Sequence, residues 1–363
     1  GWGKQDLFSF VITRPFGTHS HNHGLSMTLY AYGRRLLADT SQRSYDSETI
    51  SNWQRMRRVS HNVIEIDDDT VYKGWTQNTN LIKGDSDNIT APRYDIFDGY
   101  HRETKQEPGP PTVEMKRRIL FLKPLNYWIV SDYVDTEDPV TPKEHKYNQV
   151  WHMPPQANVR MSQPTGMFYS NYGTGANLQI IPADPETLEK SVATDGYMGT
   201  NNHKYASYVK RSTDDVTFDT VLYPLREYSE ESTSVERLDM GVPTTTASAM
   251  KITTKENMAV MNTGYYYTSY EAQRINRTFG SNETDAKTAF ININKNGNMD
   301  YAMLNEGTKL VRNGLELISA QAPVSDMSVE WKQGGLAVNS SVSDSAGLGI
   351  VQIYAPDENA AVT

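Results

Sequence analysis

Thr18-His19-Ser20-His21-Asn22-His23-Gly24-Leu25-Ser26-Met27-Thr28-Leu29-Tyr30-Ala31-Tyr32 carries two patterns that together point to the architecture. Its second half alternates, with Leu25, Met27, Leu29 and Ala31 apolar and Ser26, Thr28, Tyr30 and Tyr32 between them. Strict alternation is the pattern of a half-buried strand, whose side chains point to opposite faces in turn. Its first half sets three of the protein's eight histidines at every second position. In an extended chain His19, His21 and His23 therefore share one face. A strand that begins by presenting imidazoles and continues as core suits metal or proton chemistry, because imidazole is a common ligand and titrates near neutral pH. The alternative is a histidine-rich surface loop without a role.

Upstream, Phe8, Phe10 and Ile12 alternate with Ser9, Val11 and Thr13, which predicts a strand before the histidines. Gly33-Arg34 predicts a tight turn, followed by Leu36-Leu37-Ala38-Asp39. Ser60-His61-Asn62-Val63-Ile64-Glu65-Ile66 predicts a strand opened by a histidine and closed by a solvated Asp67-Asp68-Asp69 turn. Residues 117–122 and 127–132 flank Lys123-Pro124-Leu125-Asn126 as a hairpin of buried strands. More strands are expected at 148–152, 178–181, 216–222, 249–253, 258–262, 289–293, 299–303, 315–320 and 349–354. Asn296-Gly297 supplies a hairpin turn between two of them. Almost no segment carries the helical period. Short strands separated by turns predict an all-β protein built as an antiparallel β-sandwich. We place that sandwich at residues 1–245 and a smaller all-β domain at 246–363, with the polar stretch 224–246 read as a loop near the boundary.

At 363 residues there is room for two domains and a large core. A net charge of −9 and the absence of a long basic tract argue against general nucleic-acid binding. Cysteine is absent, so neither disulfides nor thiolate metal sites are available. No apolar run approaches the roughly 18 residues of a membrane-spanning helix, and no signal peptide is visible. The start at Gly1-Trp2-Gly3, without an initiator Met, is expected of a processed chain or a piece of a larger protein. The 22 tyrosines and 6 tryptophans suit a carbohydrate cleft, and equally a sandwich core. Sequons at Asn88, Asn276, Asn282 and Asn339 are expected by chance in a chain this rich in Asn, Ser and Thr.

His21, Asp39 and His61 each stand at the end of an expected strand, where neighbouring strands bring ends together. Two imidazoles and a carboxylate suit a zinc-like ion at ~2.0–2.2 Å, with water or a fourth group completing the shell. On the other reading, Asp39 caps a turn and His61 is a hydrogen-bonded edge histidine. His101, His145, His152 and His203 are expected to be ordinary, His152 being buried beside Trp151.

The run from His19 to Ser26, then Leu29-Tyr30-Ala31-Tyr32-Gly33-Arg34-Arg35-Leu36-Leu37-Ala38-Asp39, Tyr45-Asp46 and Ser60-His61-Asn62-Val63, resembles the signature of the heparinase II/III-like polysaccharide lyases. So do Arg118 to Pro124, Asp132, His145 and Trp151-His152-Met153-Pro154, and the likeness covers roughly residues 7–155. One departure is His23, which stands where the family usually has Asp. The resemblance implies an N-terminal α/α-toroid followed by antiparallel sheet domains, of which this chain is expected to be the β portion only. It implies His21, Asp39 and His61 as ligands of a divalent metal, most simply zinc, holding strand ends together rather than catalysing. It implies His19 as the catalytic histidine. Tyr45 and Arg43 are candidate substrate contacts, and His23 is either a substrate contact in the cleft or a partner behind the metal ligands. Arg55, Arg57 and Arg58 are further cations that could line the cleft of an acidic protein binding a polyanion, or form a salt-bridged surface.

The implied reaction is β-elimination at a uronate, in which the carboxylate is neutralised, a base takes the C5 proton and an acid protonates the leaving glycosidic oxygen. The implied substrate is alginate first and a heparin-like glycosaminoglycan second. The implied partner is a toroid domain or chain of the same enzyme, and the implied location is secreted or periplasmic in a bacterium, with no membrane or nucleic-acid partner. The competing reading is a non-catalytic, metal-stabilised carbohydrate-binding module.

Overall fold

The alternating residues after the histidines become the strand Met27–Ala31, paired antiparallel with Phe8–Val11 on one side and Arg34–Leu37 on the other. Met27, Leu29 and Ala31 are buried while Thr28 and Tyr30 are half-exposed, as the period of two requires. The hairpin turn falls on Tyr32 and Gly33, one residue earlier than expected. Both have positive φ (51° and 82°), the conformation a two-residue type I′ turn needs to match strand twist.

The computed structural model describes residues 3–13, 23–39, 58–68, 73–83, 93–104, 112–137, 144–195, 203–228, 233–256, 258–333, 335–342, 350–355 and 361–362. Among these there is no α-helix, only strands and the 3-10 turns Arg58–Ser60, Lys123–Leu125 and Pro185–Thr187. None of them is a helix long and apolar enough to cross a membrane. Two compact units result: Gly1–Leu81 with Ile96–Glu230, and Ile82–Asp95 with Glu231–Thr363.

The first unit is the sandwich. An eight-stranded sheet runs Asn158–Met161, Phe168–Asn171, Asn177–Pro182, Val216–Leu225, Tyr127–Glu137, Thr112–Leu122, Tyr94–Thr104, Lys73–Lys83. A four-stranded sheet runs Glu189–Asp195, His203–Ser212, His145–His152, Ile64–Ile66. Both contribute to one core together with the three-stranded sheet of Met27–Ala31. Ile119, Phe121, Trp128 and Val130 enter that core from the large sheet, and Tyr147, Trp151, Ala206 and Tyr208 from the smaller. Phe121 and Trp128 stack at 4.1 Å, a pairing that adds about 1 kcal/mol beyond burial. The expected hairpin is present as the longer strands Thr112–Leu122 and Tyr127–Glu137, closed by a 3-10 turn and by Asn126 at φ 59°. Leu120, Leu122, Tyr127 and Ile129 on its other face are also buried, so the hairpin reads as two continuous apolar runs.

The second unit is an eleven-stranded sheet among the described residues, with the long strands Met299–Arg312 and Leu315–Lys332 at its centre. Register shifts at Gly307/Lys309 and Val324/Asp326 let these strands bend around the core of Ala302, Leu304, Leu317 and Val329. Asn296-Gly297 forms its hairpin turn, with Gly297 at φ 82°. Tyr94 Oη donates to Asp326 (3.1 Å) and Arg93 pairs with Glu330 (2.5 Å), which ties the segment Ile82–Asp95 into this unit.

Three local expectations are corrected. His61 does not open a strand: it follows the 3-10 turn Arg58–Ser60, and the strand begins at Ile64. Ser26, read as outward, is fully buried because its hydroxyl is needed inside. The stretch read as a loop over 224–246 contains the strand Thr233–Arg237, paired with Ala247–Glu256. Polar strands such as His203–Ser212 escape a reading that relies on apolar alternation.

Candidate functional site

The site is built where the turn His23–Ser26 meets the end of Arg34–Leu37 and the segment after Arg58–Ser60. Ser26 N–H closes the turn onto His23 O at 2.8 Å, and Leu25 occupies its third position at φ 69°. That conformation normally selects glycine; a leucine there carries strain of order 1–3 kcal/mol and must be held by its surroundings. Two buried guanidiniums hold it. Arg117 Nη1 donates to Leu25 O (2.9 Å) and Arg58 Nη2 to Gly24 O (3.3 Å).

Asp39 lies against this turn. Ser26 Oγ donates to its Oδ2 at 2.8 Å, and His61 Nδ1 donates to its Oδ1 at 2.5 Å. His23 joins them, its ring 5.3 Å from that of His61 and edge-on to it. Burial works to raise the Asp39 pKa, but the charge and hydrogen bond of His61, the Ser26 hydroxyl and the charge of His23 outweigh it and hold the carboxyl at about 2. Asp39 is therefore an anion at any pH near neutrality, so it serves as a fixed charge rather than as a proton donor. With Nδ1–H committed to Asp39, the lone pair of a neutral His61 falls on Nε2. Ser26 is not an activated nucleophile, because its hydroxyl bonds the carboxylate rather than an imidazole, and its oxygen also accepts the Asn62 N–H at 3.2 Å.

Asn62, to which the sequence assigns no role beyond its place beside His61, is the central tie. Its Nδ2 donates to Met27 O (2.7 Å) and Ala38 O (3.0 Å), and its Oδ1 accepts His152 N–H (2.5 Å). Its own carbonyl accepts Arg117 Nη1 (2.5 Å). Arg117 is clamped in turn by Asp132, Nε to Oδ1 at 2.6 Å and Nη2 to Oδ2 at 2.7 Å. Gln149 donates to Asp132 Oδ2 (2.9 Å) and accepts from Thr220 and Trp151. This network is buried throughout, and its satisfied charges support the loop above it. The Arg117–Asp132 pair had a sequence signal: the register that closes the hairpin at Leu122–Tyr127 sets the two opposite each other inside apolar strands.

Of the residues expected to act, His23, Asp39 and His61 are brought together. His19, His21, Arg43 and Tyr45, with Arg55 and Arg57, lie outside the described residues. Arg58 does not line a cleft: it is buried, donating to Ile64 O (2.7 Å) and facing His101 Nε2 at 3.1 Å. His152 is buried and hydrogen-bonded to Val59 O (2.7 Å), and His145 pairs with Asp67 (2.7 Å). Among the described residues no group of three His, Asp or Glu side chains is placed to hold a metal ion. Asp39 and His61 supply one carboxylate and one imidazole, donor types that zinc takes. Each Asp39 oxygen already accepts one hydrogen bond and retains a second lone pair, so this donor pair fits such an ion.

Residues 11–230 match the model of the family described as heparinase II/III-like, C-terminal. The match ends at the last residue of the first unit. Among solved structures the chain is similar to the heparan sulfate lyase HepC from Pedobacter heparinus, with a TM-score of 0.58 and 16% identity over 76% of this chain and 41% of that one. It is similar also to a heparinase III, with a TM-score of 0.54 and 12% identity over 74% of this chain and 40% of that one. The chain thus spans about two fifths of the length of these structures. No curated protein sequence matches it.

Proposed function

Because this chain belongs to the heparinase II/III-like family through its C-terminal domain, we propose that it forms the β-sheet half of a polysaccharide lyase acting on a uronate-containing chain by β-elimination. The observation that carries the reading is the convergence of His23, Asp39 and His61 on one buried, rigidly supported turn inside the matched region. In the reaction a base removes the uronate C5 proton, the electron pair forms the C4–C5 double bond, and the C4–O bond breaks as an acid protonates the departing oxygen. His19 is our assignment for the histidine that faces the uronate. Asp39, anionic and largely buried, orients His61, and His23, partly exposed at the start of the turn, is our assignment for hydrogen-bonding a substrate carboxylate.

A divalent ion, zinc in the simplest case, would be held by Asp39 and His61 with His21, and would tie three segments of chain together. Arg43 and Tyr45 are assigned to the substrate. The remaining groups would come from an N-terminal toroid, as a domain or chain of the same enzyme, in a secreted or periplasmic bacterial protein. Among uronate polysaccharides we place heparan sulfate first, on the strength of the Pedobacter heparinus neighbour, and alginate second.

The test is appearance of unsaturated uronate ends from heparan sulfate, heparin, alginate, chondroitin and hyaluronan, with the toroid domain supplied. Product from one of them, lost in His19→Ala with an unchanged melting temperature, is the expected result. Binding without product from any of them would instead make the chain a carbohydrate-binding module.

A further inference from the structure

A second cluster lies at the far end of the strand Met27–Ala31, roughly 20 Å along the chain from Ser26 at strand rise. There the Arg34 guanidinium sits 4.1 Å over the ring of Tyr172, and Arg226 sits 4.2 Å over the ring of Tyr32. Arg34 Nη1 donates to Thr174 O (2.9 Å) and Ala176 O (2.8 Å). Leu225 pairs with Asn177 across the sheet, so Arg226 leaves the strand beside the same loop. Arg35 is exposed, and its charge, like that of Arg34, reaches the Tyr172 hydroxyl. Three chain segments thus deliver three arginines and two tyrosines to one place.

Among the described residues these charges are not compensated. Among the described residues none of Arg34, Arg35 and Arg226 forms an ion pair with a carboxylate, although acidic residues outnumber Lys and Arg by 44 to 35 in the whole chain. Glu227 is adjacent to Arg226 in sequence and exposed, yet does not pair with it. A guanidinium stacked on an aromatic face is held in plane, which leaves its edge to present paired N–H donors. That edge matches the oxygens of a carboxylate or a sulfate. Repeated carboxylates or sulfates on one flexible chain would meet two such edges and the exposed Arg35 in succession.

We propose that Tyr32, Arg34, Arg35, Tyr172 and Arg226 form a binding subsite for an acidic polysaccharide, separate from the histidine site. The choice of ligand rests on the function proposed above; the charge cluster itself does not.

The experiment is titration of the full chain with a heparan sulfate oligosaccharide and an alginate oligosaccharide, at low and at physiological salt. Arg35→Glu/Arg226→Glu is expected to weaken binding at least about tenfold and to flatten its salt dependence, with an unchanged melting temperature. Arg274→Glu/Lys295→Glu makes the same charge change at exposed positions of the other unit, and is expected to bind like the parent. No binding by the parent, equal weakening in both double variants, or parent affinity for polyphosphate equal to that for the oligosaccharides would overturn the subsite. Turnover in the lyase assay without binding that depends on Arg35 and Arg226 overturns the subsite and leaves the proposed function standing. Binding that depends on them, without turnover, does the reverse.

Discussion

Asp39 Oδ1 and His61 Nδ1, 22 residues apart in sequence, meet at 2.5 Å. Neither residue is on a strand, and each is the first polar group beyond a buried apolar stretch or turn. Their contact therefore reports that the end of Arg34–Leu37 and the segment before Ile64–Ile66 are held in register, and that register is set below them by Asn62.

That contact makes stability depend on acid. The folded pKa of Asp39, about 2, lies below its ordinary value of 3.8. The stabilisation is therefore complete above the ordinary value and is lost as pH falls toward 2. It amounts to roughly 2 kcal/mol. Urea unfolding in chelator, at a series of pH values from neutral to acid, is expected to show that loss in the parent and a flatter acid limb in Asp39→Asn. Identical acid limbs would remove Asp39 from this role.

Arg117→Met leaves the Asp132 carboxylate buried without its guanidinium, and leaves Leu25 O and Asn62 O without a donor. A loss of about 3–5 kcal/mol is expected. Adding Asp132→Leu removes the stranded charge, so the double variant should be more stable than Arg117→Met alone. A strictly additive double-mutant cycle in chemical denaturation would show that the pair is not coupled.

Asn62→Ala removes the donor to Met27 O and Ala38 O and the acceptor for His152 N–H. Each buried group left unsatisfied costs about 1–3 kcal/mol, so the variant is expected to lose several kcal/mol. Hydrogen exchange localises the effect: the His152 amide should lose protection ahead of the central residues of Tyr127–Glu137. Unchanged protection there would contradict the tie.

Gly99 sits where a Cβ would overlap Leu25 Cδ2 and the Phe97 ring. Gly99→Ala should push Leu25 out of place at a cost of about 1–3 kcal/mol. Leu25→Ala makes room for the added methyl, so the double variant should lose less than the two single losses combined. Melting temperatures of the four proteins decide it.

Much of this was legible in the order of residues. Alternation from Leu25 to Ala31, the apolar runs on either side of Lys123–Asn126, and Asn296-Gly297 specified strands and turns, because side-chain period and positive-φ turns are local properties. Asp39 and His61 were singled out by residue type and by their places near strand ends. What sequence could not show was distance. Ser26 looked like an outward residue and Arg58 like a cleft cation, yet both are buried, since whether a polar group faces water depends on what the other strands bring to it. Asn62 gained its part only when Met27, Ala38 and His152 converged on it. The three arginines, none in an ion pair among the described residues, share an edge only because a hairpin turn and a loop 140 residues on, with a strand end further along the chain, are closed together by the sheets. Local chemistry determined the elements, and the long-range pairing of strands decided which of their side chains meet.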